Sequence, residues 1–351
     1  MKSKVLLFII ILFLFMGQVV GAQEITKASL ELRCDYQYNS IDGTTVNDNT
    51  GFKGTFFNVI LQGKVADKWG FDIRHRMNKA SIDKNFFDAT DKALIYFTPT
   101  EQWKFQLGKH SIGVGGFDYD TAPIDLYYTG QYCIDLPCFE WGASAEYYLK
   151  SQKDVFHVEM VQSPYHAFYS KSNVYGYSLK YTGTHGIVDA IHSINFFETE
   201  PGKFLNMIIL GHKLNLGQWC LEADFLNKAS LNGHSNDYFL KNVSLVGKLK
   251  YKPDQHWQIS MKCSYDVNKT EANTNTSFVD YDYLVPSGTE CGRVGGIVEY
   301  WPLMGNKKDL VRLHALVYRD FGNNTCELGG CVDKQFFVSV GATMRIEYTH
   351  R

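Results

Sequence analysis

The sequence predicts an all-β chain that closes into a transmembrane up-and-down antiparallel barrel of about 16 strands, with short periplasmic turns and long extracellular loops. Three observations predict it. Apolar and polar residues alternate with a period of two through most of the chain. Short turns and long polar loops take turns in connecting the alternating segments. Beyond Met16 no continuous apolar run approaches the roughly 20 residues that a spanning helix needs. The composition agrees: mean hydropathy is −0.22, too polar for a bundle of membrane helices. With 22 Tyr, 24 Phe and 6 Trp, disorder is excluded. The balance of 35 basic and 37 acidic side chains excludes a strongly basic nucleic-acid binder.

Residues 1–22 read as an export signal: Lys2 and Lys4, the apolar run Val5 to Met16, then Val20-Gly21-Ala22 before Gln23. The run is too short to span a bilayer, so residues 23–351 are expected to form the barrel after cleavage. The clearest strands lie at the two ends of that stretch. Leu30, Leu32, Cys34, Tyr36 and Tyr38 alternate with Glu31, Arg33, Asp35 and Gln37. Phe336, Val338, Val340, Ala342, Met344, Ile346 and Tyr348 do the same near the end. Between them the pattern recurs at Trp69 to Met77, Trp103 to Lys109, Trp141 to Tyr147, Phe156 to Met160 and Tyr175 to Tyr181. Further copies lie at Trp219 to Phe225, Val243 to Tyr251, Trp257 to Tyr265 and Val294 to Tyr300. More mixed segments are Phe57 to Val65, Ala93 to Phe97, Val188 to Phe196, Leu205 to Gly211 and Val311 to Val317.

Trp69, Trp103, Trp219 and Trp257 each open a strand just after a short turn, where an indole keeps its ring in lipid and its N–H near water. Closure follows from the solvent: lipid satisfies no backbone N–H or C=O, so a spanning sheet has no free edge. A soluble sandwich would show the same alternation but would bury its apolar face in a core. On the last strand, Val340→Arg is expected to cost on the order of 2 to 4 kcal/mol and Ser339→Arg much less. Tyr348, outward in that strand, is expected to serve as its closing aromatic residue, three positions before Arg351.

A barrel of this size leaves an aqueous channel. Transport is therefore the expected function, with specificity set by charged lumen side chains and by any loop that folds inward. The loop Ser111 to Pro137 is the candidate constriction, with Gly115, Gly116, Phe117, Asp118, Tyr119 and Asp120 at its start and glycines that permit tight turns. The segment Gln106-Leu107-Gly108-Lys109-His110, followed by Gly115-Gly116-Phe117-Asp118-Tyr119-Asp120 and Pro123-Ile124, resembles phosphate-selective porin O and P type proteins. The resemblance implies an outer-membrane channel of a Gram-negative bacterium, usually a homotrimer, that passes small solutes or inorganic anions along a path of lumen Arg and Lys. It puts Lys109 in the motif's Gly-Lys pair. Arg74 and Arg76 share one face of the third strand with Asp72, and Arg33 lies on the polar face of the first. No ladder of closely spaced arginines accompanies the motif, and basic and acidic side chains are balanced on the polar faces.

All eight cysteines follow the export signal, in a compartment where disulfides persist. Cys133 with Cys138, and Cys326 with Cys331, are the candidate local bridges. Zinc is the rival reading of the two pairs, disfavoured because no His flanks both; no metal or cofactor is expected. Two other functions compete with the channel. A lipid hydrolase in the barrel wall would need a Ser and a His in contact, but His110-Ser111 and His192-Ser193 are strand neighbours that point to opposite faces. A plugged or structural barrel would bind a partner through loop aromatics such as Tyr165, Phe168, Tyr169, Tyr281 and Tyr283.

Overall fold

The computed structural model describes residues 24–79, 85–130, 132–133, 136–165, 173–230, 241–269, 288–323 and 331–349. The export segment 1–22 lies outside them, as do Phe168, Tyr169, Tyr281, Tyr283 and Cys326. Among the described residues sixteen long strands follow one another, one for each segment expected from the alternation. They are β1 (Glu24–Ile41), β2 (Gly51–Ala66), β3 (Trp69–Arg76), β4 (Thr90–Thr100), β5 (Trp103–Ser111), β6 (Phe139–Tyr148), β7 (Asp154–Gln162) and β8 (Tyr175–His185). The second half comprises β9 (Val188–Glu200), β10 (Lys203–Leu216), β11 (Trp219–Ser230), β12 (Asn242–Tyr251), β13 (Trp257–Asn268), β14 (Glu290–Tyr300), β15 (Val311–Asn323) and β16 (Gln335–Thr349). A two-residue strand, Thr44–Thr45, pairs with the end of β1.

Every strand is antiparallel to its neighbours, and β1 bonds to both β2 and β16, which closes the sheet. The seam runs from Lys27 opposite Thr349 to Ile41 opposite Gln335. Ion pairs cross it between Lys27 and Glu347 at 2.7 Å and between Glu31 and Arg345 at 3.1 Å. Several strands run past their expected ends. Cross-strand hydrogen bonds continue into stretches that are polar on both faces, where alternation carries no signal.

The alternation of short and long connections has two exceptions. On the long-loop side, β9 and β10 are joined by Pro201-Gly202 alone, with Gly202 at φ 77°. On the short-turn side, β14 and β15 are joined by residues 301–310, which include a 3-10 helix, Gly305–Leu310. A two-residue turn needs only a glycine at positive φ, so side of the barrel does not dictate loop length.

The outer face carries exposed apolar side chains: Leu107, Met261, Val340 and Ile346 are all more than half exposed. The opposite face carries buried polar groups such as Arg33, Asp224, Lys262, Arg293 and Glu299. The four tryptophans open β3, β5, β11 and β13, and each stacks on an aromatic ring of the next strand. Centroid distances are 4.6 Å for Trp69–Phe97, 4.8 Å for Trp103–Tyr147, 4.4 Å for Trp219–Tyr251 and 4.5 Å for Trp257–Tyr300. This is one ring of paired aromatics on the short-turn side.

Candidate functional site

The connection from β5 to β6 turns onto the inner face of the sheet, and glycines permit its approach. Gly113 N–H donates to Glu159 at 2.6 Å, and Gly115 N–H donates to Ser193 Oγ at 2.8 Å. Gly116 sits at φ 88°, where an added Cβ would lie 3.2 Å from the Asp224 carboxylate. Across from it, a Cβ on Gly211 would come within 2.9 Å of the Gly116 Cα. The next residues form one helical turn, Phe117–Asp120, whose first N–H groups, on Phe117 and Asp118, both donate to Asp224 at 2.8 Å. Such backbone donors are unsatisfied within the helix, and a carboxylate is their natural partner.

Apolar burial fastens the same segment. Ile112, Val114, Tyr119, Tyr132 and Leu136 pack against Phe197, Leu205, Met207, Ile209 and Leu226 of β9, β10 and β11. Each such side chain contributes on the order of 1.5–3 kcal/mol when fully buried. The loop then continues along the wall. Asp118 pairs with Lys262 on β13, and Tyr128 OH donates to the Lys262 carbonyl at 3.0 Å. Tyr127 OH donates to Glu299 at 2.9 Å, and Asp125 lies 2.7 Å from both Arg312 and Arg345. Arg33 donates to the carbonyls of Ile124 and Leu126 and stacks over the Tyr127 ring.

The loop thus follows the wall from β7 round to β1. On the remaining side a cavity of about 400 Å³ separates it from β3 to β8. Asp72, Arg74, Lys92, Lys104, Glu146 and Lys180 line the wall side, and Asp118, Asp120 and Pro123 the loop side. Each of the four cations on this wall has a carboxylate partner: Arg74 with Asp91 at 2.9 Å, Lys92 with Asp72 at 3.3 Å, Lys104 with Glu146 at 3.4 Å and Lys180 with Asp120 at 3.7 Å. A second chain of groups backs the wall: His157 bridges Glu146 at 3.6 Å and Glu159 at 3.1 Å, and His110 reaches Glu159 at 3.4 Å.

The expected site residues divide accordingly. Gly115, Gly116, Phe117, Asp118, Tyr119 and Asp120 come together on the inner face. Arg74 and Arg76 share an orientation as expected, but both bind Asp91, Arg76 at 2.6 Å, and both lie over the Phe139 ring. Arg33 is engaged by Asp35 and the loop. Lys109 needs correction: it shares the outward face of β5 with Trp103, Phe105 and Leu107, and its ammonium donates to the Phe87 carbonyl at 2.9 Å. A lysine at the end of an apolar row extends its stem along that row and finds a polar partner at the rim.

The expected Cys133–Cys138 bridge is absent: Cys133 Sγ contacts Asp118 at 3.7 Å and Cys138 Sγ the Leu136 carbonyl at 3.8 Å. Both cysteines pack against the apolar cluster of Tyr132 and Leu136, with their thiols on different partners. The wall residues Lys92, Lys104, Gln106 and His157 escaped the sequence analysis. The signal was present, since Lys104 and Gln106 alternate with Trp103, Phe105 and Leu107. Of the two His-Ser pairs, His192 and Ser193 face opposite ways, His192 packing on His212 while Ser193 points inward to the loop, whereas His110, buried beside Glu159, and the exposed Ser111 both line the cavity.

Residues 27–191 match the family described as phosphate-selective porin O and P. Among curated proteins, none matches the sequence. Solved structures share the fold. OmpT, an outer-membrane protein of Vibrio cholerae, aligns with TM-score 0.58 and 13% identity over 94% of this chain and 99% of that one. The outer membrane channel DcaP of Acinetobacter baumannii aligns with TM-score 0.61 and 10% identity over 93% and 98%. A mutant of the Rh. blastica porin aligns with TM-score 0.53 and 8% identity over 91% and 100%. The matched segment holds β1 through β8 and the whole inward loop, and the barrel has a polar inner face and an apolar outer one. The chain is a porin of the Gram-negative outer membrane, related through residues 27–191 to the phosphate-selective porin O and P family.

Proposed function

We propose that the channel passes small hydrophilic solutes and inorganic ions by diffusion, and that the inward loop narrows it to the gap beside β3 to β8. The observation that carries this reading is the mixed-charge cavity between Asp118 to Pro123 of the loop and the wall cations Arg74, Lys92, Lys104 and Lys180. Because each of those cations pairs with a carboxylate, the passage carries little net charge, which favours weak selectivity over a phosphate-specific site. Lipid covers the exposed apolar belt, and three copies assemble as in other porins of this type.

Single-channel recording of the purified protein in a planar bilayer tests the proposal. Discrete conductance steps, with a small reversal potential under a salt gradient and no block by phosphate, are expected. A large anionic reversal potential with phosphate block would replace weak selectivity by an anion site. Silence from folded, heat-modifiable protein would mean that the loop plugs the barrel. Native mass measurement in detergent reads the trimer directly.

A further inference from the structure

The rim on the long-loop side brings together two cysteines that lie 40 positions apart in the sequence. Cys291 is the second residue of β14, on the inward face that also carries Arg293, and is 2% exposed. Cys331 precedes β16 and is 5% exposed. The backbone around Cys331 is held in place. Val332 N–H donates to Asp320 at 3.1 Å, and Asp320 is itself gripped by Arg293 through two hydrogen bonds of 2.6 Å. Asp333 accepts from the Gly322 N–H at 3.1 Å, and Gln335 N–H donates to the Val332 carbonyl at 3.0 Å. Cys331 Sγ thereby donates to the carbonyl of Gly292, the neighbour of Cys291, at 3.4 Å, and no S–S bond joins the two cysteines in this structure.

We propose that Cys291 and Cys331 form a structural disulfide that staples the segment just before β16 to the start of β14. Cys326, the partner that the sequence suggests for Cys331, lies outside the described residues. The Asp320–Val332 and Gly322–Asp333 contacts instead direct Cys331 toward β14. The chain works in a compartment where disulfides persist. Because both thiols are buried in the closed barrel, the bond forms during folding, with a protein disulfide of an oxidoreductase as the oxidant. Cys331, as thiolate, attacks one sulfur of that disulfide and releases the other as a thiol. Cys291 then attacks the Cys331 sulfur of the mixed disulfide and releases the second thiol. Two cysteine thiols become one S–S bond, the oxidant is reduced to a dithiol, and the two protons leave on its sulfurs.

Peptide mapping of the full protein tests this, after purification without reductant and alkylation of exposed thiols in denaturant. Trypsin with a glutamate-specific protease cuts after Glu290, Arg293, Glu327 and Lys334, so Cys291, Cys326 and Cys331 fall on three different peptides. The expected product joins residues 291–293 to residues 328–334, two hydrogens lighter than the separate peptides and split by reductant. Cys291→Ser should leave Cys331 open to alkylation in the denatured chain, while heat-modifiability confirms that the variant folds. A Cys326–Cys331 linkage, alkylation of both Cys291 and Cys331 in the native sequence, or continued protection of Cys331 in Cys291→Ser would each overturn the proposal.

Discussion

Asp125, midway along the inward loop, lies 2.7 Å from Arg312 on β15. Burial raises the pKa of its carboxyl, but Arg312 and then Arg345 outweigh burial and hold it below the usual value of 3.8. A depressed folded-state value means that the contact stabilises docking at neutral pH and above the unfolded value. That contribution disappears as pH falls through the lowered value. Loop cleavage by an acid-active protease should therefore rise below about pH 4. Asp125→Asn should show the loosened state already at neutral pH, losing on the order of 2 kcal/mol of docking energy. Cleavage that is equally slow at both pH values, in the native protein and the variant, would show that this ion pair does not hold the loop.

Gly116 makes a sharper local test. Its backbone, at φ 88° and ψ 143°, belongs to a region that essentially only glycine occupies, and its missing Cβ would meet Asp224. Gly116→Ala should cost about 1–3 kcal/mol and release the start of the loop. Gly217→Ala, at φ 66° in an open turn, should lose about 1–2 kcal/mol and leave the loop in place. Channel noise and thermal unfolding of the two variants separate strain at the docking point from strain in a turn.

Lys104 and Lys180 stand on the wall side of the cavity, opposite Asp120 and beside Glu146. If ions pass through this cavity as proposed, replacing both with Glu shifts selectivity toward cations by several-fold in permeability ratio, with the barrel fold unchanged. Reversal potentials under a salt gradient measure it. No shift would mean that ions travel elsewhere in the lumen.

The two faces of the wall differ in what they tolerate. Leu107 is 59% exposed on the outer face, while its neighbour Gln106 lines the cavity. Leu107→Arg should cost about 2–4 kcal/mol, as should Val340→Arg, and Gln106→Arg about 1 kcal/mol or less. The mild effect expected for Ser339→Arg does not survive the structure: Ser339 faces inward, but at 1% exposure it has no room for an arginine. Unfolding in denaturant, with the variants refolded into the same detergent, gives these differences.

Much of this architecture was legible because the alternation that reveals it is local. A residue and its neighbour two positions on share a solvent, so Phe336 to Tyr348 announce their outward face without knowledge of any partner strand. The tryptophans were equally legible, since a turn and a ring fix their depth. The least clear segments, Val188 to Phe196 and Leu205 to Gly211, turn out to carry apolar side chains on both faces. Phe197, Leu205, Met207 and Ile209 point inward to receive the loop while Phe196 and Leu210 point outward. A period-two pattern fades where both sides of a strand are dry.

Chain order therefore suffices for the strands, their phase and the barrel they close, because backbone satisfaction in lipid leaves no other arrangement for such a pattern. It says nothing of which groups meet across the lumen. Asp118 finds Lys262, Asp125 finds Arg312, and Cys331 finds the Gly292 carbonyl through closure of the sheet and the docking of one loop. Those meetings turn a balanced set of charges into a loop anchored along one wall and a cavity beside the other. Coulomb attraction and apolar burial act through space, and the folded barrel sets the distances over which they act.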